Sequence, residues 1–247
     1  MHPIMLITGA SRGIGAATAR LAARHGYAVC INYLNNHVAA ETVRADIERE
    51  GGDAMVVQAD VSQEADVLRL FAAIDRWGQL ACVVNNAGIL ETQMRLEDMS
   101  VERLQRVMAA NVTSTFLCCR EAVKRLSTRR GGPGGSIVNI SSGAARSGSP
   151  NEYIDYAASK GAVDSLTLGL AKEVAAEGIR VNGVRPGFIY TDIHTAGGEP
   201  GRVDRLAPQI PLQRGGYPEE VAEAILWLAS DKASYTTGSF IDVLGGR

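Results

Sequence analysis

The 247-residue chain is long enough for one large α/β domain with a substantial buried core, and its 46% of hydrophobic residues excludes a disordered chain. A formal net charge of −2 gives no basis for nucleic acid or an anionic membrane as the main partner. The four cysteines match neither a zinc site nor a disulfide framework, and no apolar run approaches the ~18 residues of a membrane span. We therefore expect a cytoplasmic protein with reduced thiols.

Short apolar runs alternate along the chain with longer stretches of helical periodicity. Seven strands are predicted, at residues 4–7, 28–33, 54–58, 80–84, 136–140, 180–184 and 240–243. Six helices are predicted, at residues 13–24, 38–50, 62–77, 101–126, 153–177 and 218–229, the third of them capped by Ser62. Most strand runs are continuously apolar, which is typical of parallel strands covered on both faces. The sequence thus predicts a single doubly wound Rossmann-type α/β domain over residues 1–247, with a seven-stranded parallel sheet flanked by helices.

One long segment breaks this alternation. Residues 188–216 are rich in glycine and proline and lie between the sixth predicted strand and the last predicted helix. A long connection inside a compact domain is usually functional or mobile. We interpret it as a lid on the substrate side, the alternative being a disordered surface excursion.

A glycine-rich loop, residues 8–15, separates the first strand from the first helix. Gly9, Gly13 and Gly15 allow a tight turn and let a pyrophosphate approach the backbone. The helix N-terminus that follows offers free N–H groups and a partial positive charge. The spacing G-x-x-x-G-x-G differs from the usual dinucleotide fingerprint, so it is the position after the first strand that favours a dinucleotide site over a simple turn.

The second strand indicates which dinucleotide is bound. An acid at the end of that strand would bind the ribose 2′-hydroxyl of NAD, but residues 28–36 contain no Asp or Glu. Arg12, in the glycine loop, can supply positive charge on the adenosine side. These features favour NADP(H) over NAD(H). The alternative is a solvated Arg12 and an Asn32 that accommodates both cofactors.

With these motifs in place, the chain resembles the short-chain dehydrogenase/reductase family over essentially its whole length. Further motifs in the family's order are Asp60-Val61 after the third strand, residues 85–88 (N-N-A-G) after the fourth, and Pro186-Gly187 with Thr191. The resemblance implies a catalytic tetrad of Asn111, Ser142, Tyr156 and Lys160. It also implies a set of cofactor-binding residues: Gly9, Ser11, Arg12, Gly13, Ile14, Gly15, Asn32, Asp60, Val61, Asn86, Ala87, Gly88, Tyr156, Lys160, Pro186, Gly187, Ile189 and Thr191.

The spacing of Tyr156 and Lys160 supports acid–base chemistry. Residues four apart on a helix share one face. A free tyrosine titrates near ~10, and a lysine ammonium ~5 Å away contributes about 3 kcal/mol at an effective dielectric of ~20. We therefore expect the lysine, helped by an oxidised nicotinamide, to lower the pKa of Tyr156 towards the working range. Tyr153 lacks this charge because its i+4 neighbour is Ala157.

The sequence offers two candidates for the catalytic serine. Family members commonly place it thirteen residues before the tyrosine, whereas position 143 is glycine here and Ser142 precedes Tyr156 by fourteen. A one-residue insertion within residues 144–152 would explain the offset. We predict Ser142, with Ser141 as the alternative, as the residue that holds the substrate oxygen against Tyr156. The resemblance further implies that Asn111 positions a proton-relay water and that Lys160 binds the nicotinamide ribose.

These features predict an NADP(H)-dependent oxidoreductase that moves a hydride between the nicotinamide and a ketone or secondary alcohol, with no metal role. The alternatives are a non-catalytic dinucleotide-binding regulator and an NAD-dependent sugar dehydrogenase. The chain looks most like 3-oxoacyl-carrier-protein reductases and glucose dehydrogenase-like enzymes. Glu177, where the former tend to have a basic residue, disfavours an acidic carrier protein. We expect a small-molecule substrate and, from the resemblance alone, a homotetramer.

Overall fold

A seven-stranded parallel sheet forms the centre of the molecule in the computed structural model, which describes residues 2–247. Its strand order is β3-β2-β1-β4-β5-β6-β7, and every neighbouring pair is parallel. The predicted doubly wound α/β fold is confirmed. The strands are β1 (Ile4–Ile7), β2 (Ala28–Tyr33), β3 (Ala54–Gln58), β4 (Leu80–Asn85), β5 (Gly135–Ile140), β6 (Ile179–Pro186) and β7 (Phe240–Val243).

Helices cover both faces of this sheet. None of those in residues 2–247 combines the length and the apolar character that crossing a bilayer requires. They are α1 (Gly13–Arg24), α2 (His37–Arg49), α3 (Glu64–Trp77), α4 (Val101–Met108), α5 (Ser114–Leu126), α6 (Ala144–Ser147), α7 (Ile154–Val174), α8 (Ile193–Ala196), α9 (Arg202–Leu206) and α10 (Pro218–Ala229), with short 3-10 turns at Leu96–Asp98, Thr128–Arg130, Ala175–Glu177, Ala207–Gln209 and Asp231–Ala233.

The core lies in two layers because alternate strand residues point to opposite faces. Met5 and Ile7 of β1 join the cluster beneath α1, α2 and α10, whereas Ile4 and Leu6 join the cluster beneath α3, α5 and α7. All four side chains are essentially fully buried. Burial on both faces is the reason that the strands have continuous apolar runs and could be located from the sequence.

Two predicted helices differ from the structure. The single helix expected over residues 101–126 is interrupted by a π-helical turn at Ala109–Thr113, which contains Asn111. Such a wide turn often marks a functional site. At α3, Ser62 is not the N-cap as predicted: the helix follows Gln63, and the Ser62 hydroxyl instead donates a hydrogen bond to Asp60 Oδ1 at 2.7 Å.

The segment at residues 188–216 is folded. It contains α8 and α9, and its two ends are joined by backbone hydrogen bonds from Tyr190 N to Gly216 O and from Gly216 N to Phe188 O, each 2.9 Å long. The segment starts directly after β6, at the carboxyl ends of the parallel strands. The topology reverses between β1 and β4, and in sheets of this kind ligands bind at that point outside the strand ends.

Candidate active site

A cavity of about 1090 Å³ opens at the carboxyl ends of the strands. It extends from the loop after β2, past Tyr156, to the 188–216 segment. Pockets for drug-sized molecules usually span about 300–1,000 Å³, so this one has room for a dinucleotide and a substrate together. Every predicted cofactor-binding residue except Gly15 lines it, as do Tyr156 and Lys160 of the tetrad. Asn111 is fully buried, and Ser142 is half-buried next to the lining residues Ser141 and Gly143.

The glycine loop forms the floor of the cavity at the start of α1. Gly9 and Gly13 have φ of 63° and 53°, a conformation that favours glycine. Arg12, the residue before α1, is extended and makes no side-chain cap, so the first N–H groups of the helix remain available to an anion. These residues fit the pyrophosphate of a nicotinamide dinucleotide.

Gly15 serves packing rather than the ligand. A Cβ at this position would lie 2.6 Å from both Asn86 Nδ2 and Gly9 O. Asn86 Nδ2 donates to the carbonyls of Thr8 and Gly9 at 2.9 and 3.1 Å, and Thr8 Oγ1 accepts from the backbone N–H groups of Asn86 and Ala87. The N-N-A-G segment and the glycine loop are therefore held in fixed relative positions by hydrogen bonds.

Asn32 holds the adenosine end of the cavity in place. Its Oδ1 accepts from Gly9 N at 3.3 Å, and its Nδ2 donates to the carbonyls of Ala59 and Val57 at 3.0 and 3.3 Å. The residue is 1% exposed. Because its amide is engaged by the glycine loop and by the end of β3, Asn32 shapes the site, and Leu34, Asn35 and Asn36 line the cavity beside it.

Two charged residues also face the adenosine end. Asp60 lines the cavity next to Val61, and its Oδ1 accepts from Ser62 N at 2.9 Å. Arg12 Nη1 lies 3.9 Å from Asp192 Oδ2, but both side chains are more than 60% exposed. Such an exposed pair is weak, so the guanidinium of Arg12 remains available to a phosphate.

Tyr156 and Lys160 lie on one face of α7, as predicted. Lys160 Nζ is 5.6 Å from the centre of the Tyr156 ring and donates a 2.8 Å hydrogen bond to Ile140 O at the end of β5. Burial lowers the pKa of Lys160 to about 8, against an opposing effect of Asp164. A Cβ on Gly88 would be in ordinary contact with Lys160 Nζ at 3.5 Å but only 3.2 Å from Asn111 Oδ1, so the loop is packed most tightly against Asn111.

The pKa of Tyr156 moves in the direction opposite to that expected from the sequence. The phenol keeps some solvent contact, yet the protein atoms packed around it raise its pKa above the ordinary value. Hydrogen bonding with the Ser142 side chain lowers the pKa but does not overcome burial. The spacing of the two residues indicates only the effect of the Lys160 charge on the pKa of Tyr156. Desolvation, which outweighs that effect, depends on packing that a sequence does not show.

The two serines have different partners. Ser141 lines the cavity, but its hydroxyl is buried and donates to Lys160 O at 3.3 Å. The Ser142 oxygen accepts from Ala144 N at 3.1 Å, which leaves its own proton free to be donated, and the hydroxyl interacts with Tyr156. The loop between them and α7 has Ser149 and Asn151 at positive φ, at φ of 44° and 62°.

Asn111 connects the loop at Ile89 with α7 through side-chain hydrogen bonds. Its Oδ1 accepts from Ile89 N at 2.7 Å, and its Nδ2 donates to Ile89 O at 3.1 Å and to Ser159 Oγ at 3.0 Å. The side chain is fully buried. It therefore fixes the loop after the N-N-A-G segment against α7, and these contacts explain why the helix widens at this residue.

A buried ion pair beside Tyr156 was not predicted. Arg103 Nε donates to Asp155 Oδ2 at 2.7 Å, and Asp155 Oδ1 accepts from Tyr156 N at 2.9 Å. A second guanidinium nitrogen, Nη1, donates to Thr92 O at 2.6 Å. The two charged side chains are only 4% and 2% exposed. No sequence pattern links residues 52 positions apart, so only the structure reveals this ion pair at the start of α7.

Replacing Arg103 with methionine should strongly destabilise the fold because it leaves the Asp155 carboxylate buried without its partner. Breaking a buried pair costs about 3–5 kcal/mol. For a chain of this size, that corresponds to roughly 6–20 °C in Tm, measured by thermal denaturation. Arg95→Met is the matched control, since the Arg95–Glu97 pair is more than 60% exposed. Equal shifts in the two variants would show that burial of the pair is unimportant.

The sheet order, the glycine loop at the switch point and the Tyr-x-x-x-Lys pair in one cavity define an NAD(P)-dependent oxidoreductase of the Rossmann type. A family model described as "Enoyl-(Acyl carrier protein) reductase" matches residues 9–247. The chain belongs to the short-chain dehydrogenase/reductase family.

Individual relatives are similar over the whole chain. The uncharacterized oxidoreductase YgfF of Escherichia coli (strain K12) is 62% identical over 245 residues, which are 99% of each chain. A 3-oxoacyl-acyl-carrier-protein reductase of Synechocystis sp. is 41% identical and covers 98% of this chain and 96% of its own. The solved structure of a dehydrogenase/reductase from Sinorhizobium meliloti 1021 is 32% identical, with a TM-score of 0.90 over 99% of this chain and 94% of that one.

Proposed function

We propose that this enzyme transfers a hydride between NADP(H) and a ketone or secondary alcohol, with Tyr156 as the proton carrier. The observation that carries the proposal is the Tyr156 phenol at the cavity wall, hydrogen-bonded with the Ser142 side chain and with Lys160 Nζ 5.6 Å from the centre of its ring. The nicotinamide ring supplies or accepts the hydride when the dinucleotide is bound. The protein must then bind the substrate oxygen and move one proton.

Each member of the tetrad has a separate task in the proposed reaction. Ser142 donates its free proton to the carbonyl oxygen and holds it against Tyr156. Tyr156 gives its proton to that oxygen as charge develops there. Its raised pKa keeps the phenol protonated at neutral pH, which suits the reducing direction. Lys160, held by Ile140 O, stabilises the phenolate left behind, and Asn111 keeps the surrounding loop in position.

Residues 188–216 serve in this proposal as the lid on the substrate side. Phe188, Ile193, His194 and Leu206 line the cavity from this segment.

The four cysteines are buried and free, in keeping with the cytoplasm. Large apolar side chains remain exposed on α4 and α5, including Leu104, Met108 and Phe116, and favour a homotetramer, which analytical ultracentrifugation can check.

The proposed preference for NADP(H) rests on the charges of the residues at the adenosine end of the cavity. No carboxylate comes from the loop after β2, and Arg12 is only loosely paired with Asp192. Replacing Arg12 with serine should lower kcat/KM for NADPH about tenfold and leave kcat/KM for NADH nearly unchanged, because a charge-assisted hydrogen bond is worth about 1.5–3 kcal/mol. Initial rates of NADPH and NADH oxidation with one ketone measure both.

The control is Arg24→Ser, which removes an equally exposed arginine paired with Glu50 far from the cavity. It should affect neither cofactor. An equal loss with NADPH and NADH in the Arg12 variant would contradict a 2′-phosphate contact. A wild-type preference for NADH, with sugars as the best substrates, would support the NAD-dependent sugar dehydrogenase instead.

A further inference from the structure

Arg247 is an exposed cation of the cavity wall. Within residues 2–247, no carboxylate lies within salt-bridge distance of its guanidinium, although each of the other arginines that line the cavity has such a partner. These pairs are Arg12 with Asp192, Arg146 with Asp242, and Arg202 with both Glu152 and Glu199. The charge of Arg247 is therefore available to a ligand.

The segment that carries Arg247 is held against the lid. Gly245 O accepts a hydrogen bond from Leu212 N at 3.1 Å, and a Cβ at Gly246 would lie 3.0 Å from Pro211 Cβ. The guanidinium carbon of Arg247 lies 5.0 Å from the centre of the Phe188 ring, within the range of a cation–π interaction. Because Phe188 belongs to the lid and lines the cavity, Arg247 lies on the substrate side.

This position is also connected to the reacting groups. Leu244, three residues before Arg247, packs against the serine turn, where a Cβ at Gly143 would lie 2.8 Å from Leu244 Cδ2. Gly143 directly follows Ser142, whose side chain hydrogen-bonds with Tyr156. Since Arg247 and Tyr156 line the same cavity, a substrate of suitable length can contact both.

The wall of the cavity is positively charged overall, although the chain has a formal net charge of −2. Among the described residues, five cations and three acids line it: Arg12, Arg146, Lys160, Arg202 and Arg247 against Asp60, Glu152 and Asp192. A guanidinium presents a planar set of donors that fits a carboxylate or a phosphate. Apolar side chains of Leu90, Phe188, Leu206 and Leu244 line the cavity as well.

We propose that Arg247 binds an anionic group of the substrate, a carboxylate or a phosphate, so that the enzyme acts on ketones that carry such a group away from the carbonyl in preference to neutral ketones. The inference rests on the proposed oxidoreductase function and narrows its substrate class. Arg247 orients the substrate and does not touch the reacting atoms.

The test compares three keto acids of increasing length, 4-oxopentanoate, 5-oxohexanoate and 6-oxoheptanoate, each with its own carboxamide, which has the same shape without the charge. A further pair, 4-oxopentyl phosphate and 5-hydroxy-2-pentanone, distinguishes a phosphate from a carboxylate. For the wild-type enzyme, kcat/KM for at least one anionic ketone should exceed that for its neutral partner at least about fivefold, the effect of one solvent-exposed charge pair.

Replacing Arg247 with glutamine removes the charge but keeps a polar side chain, so this ratio should fall towards one. Arg247→Lys, which retains the charge without the planar set of donors, should recover part of it. Arg130→Gln is the control, because Arg130 is also exposed and lies outside the cavity, and its ratio should match the wild type. A wild-type ratio near or below one for every pair would overturn the proposal, as would a ratio that survives in Arg247→Gln.

A second readout does not depend on turnover. Each anionic ketone is titrated into the enzyme with NADP⁺, which has no hydride to give, and the Kd is measured by isothermal titration calorimetry. The tightest Kd should rise at least about fivefold in Arg247→Gln and stay unchanged in Arg130→Gln. An equal Kd in Arg247→Gln and the wild type would overturn the proposal. Failure of the broader function looks different: none of the ketones would be turned over with either cofactor, whether or not binding depends on Arg247.

Discussion

Replacing Tyr156 with phenylalanine is expected to lower kcat by about 10²–10⁴-fold while NADPH still binds, because general acid catalysis contributes about that factor. The substitution removes the proton and leaves the ring between α7 and the cavity. Steady-state rates with a ketone measure the loss of turnover. Titration of NADPH fluorescence, carried out on the same preparation, measures retention of the cofactor.

Tyr153→Phe is the matched control for this variant. Tyr153 also lines the cavity, but its hydroxyl is committed to Gly197 O, so its loss removes a lid contact and no reacting proton. We expect its kcat to stay within about tenfold of the wild type, the size of one ordinary hydrogen bond. Full turnover in Tyr156→Phe would support instead a dinucleotide-binding regulator whose biological role needs no chemistry.

The wild-type pH profile provides an independent check on Tyr156. Because burial raises its pKa above the ordinary value, the phenol is protonated through the neutral range. Ionisation of Tyr156 should therefore lower the rate of ketone reduction only at strongly alkaline pH, whereas alcohol oxidation, which needs the phenolate, should rise with pH. A decrease in the reduction rate near pH 8 would belong to Lys160, which loses its charge there because its pKa is about 8.

Ser142→Ala is the second large loss that we expect. Removing one preorganised donor to a developing oxyanion costs about 10²–10³-fold in kcat. Ser141→Ala should cost far less, because the Ser141 hydroxyl donates to Lys160 O and has no proton to offer a substrate. Single-turnover rates of NADPH oxidation in the two variants distinguish the serines, and a larger loss in Ser141→Ala would reverse the assignment.

Strand positions could be predicted because their cause is local. Buried strands such as β1 and β2 consist almost entirely of apolar residues, and the predicted bounds coincide with the structure. The interruption of the long helix by a π turn could not be predicted. It depends on Asn111 reaching the backbone of Ile89, a contact between distant positions that no periodicity encodes.

The same distinction applies to the site. The glycine loop, Tyr156 and Lys160 are recognisable because short spacings fix their geometry. The buried partner of Asp155 and the backbone contacts of Asn32 arise where separate segments meet. The direction of the Tyr156 pKa shift is the clearest example, because it depends on how densely the surrounding atoms pack.

The paired backbone bonds at Phe188, Tyr190 and Gly216 give the enzyme a modular construction. Residues 188–216 connect β6 to α10, and these bonds join the two ends of the segment, while its interior contacts the rest of the protein through groups such as Gly197 O and Arg202. In the proposed function this segment faces the substrate, so its composition would set substrate range while Tyr156 and Lys160 stay on α7. Exchanging residues 188–216 between two family members, together with positions 152 and 153, should then transfer substrate specificity.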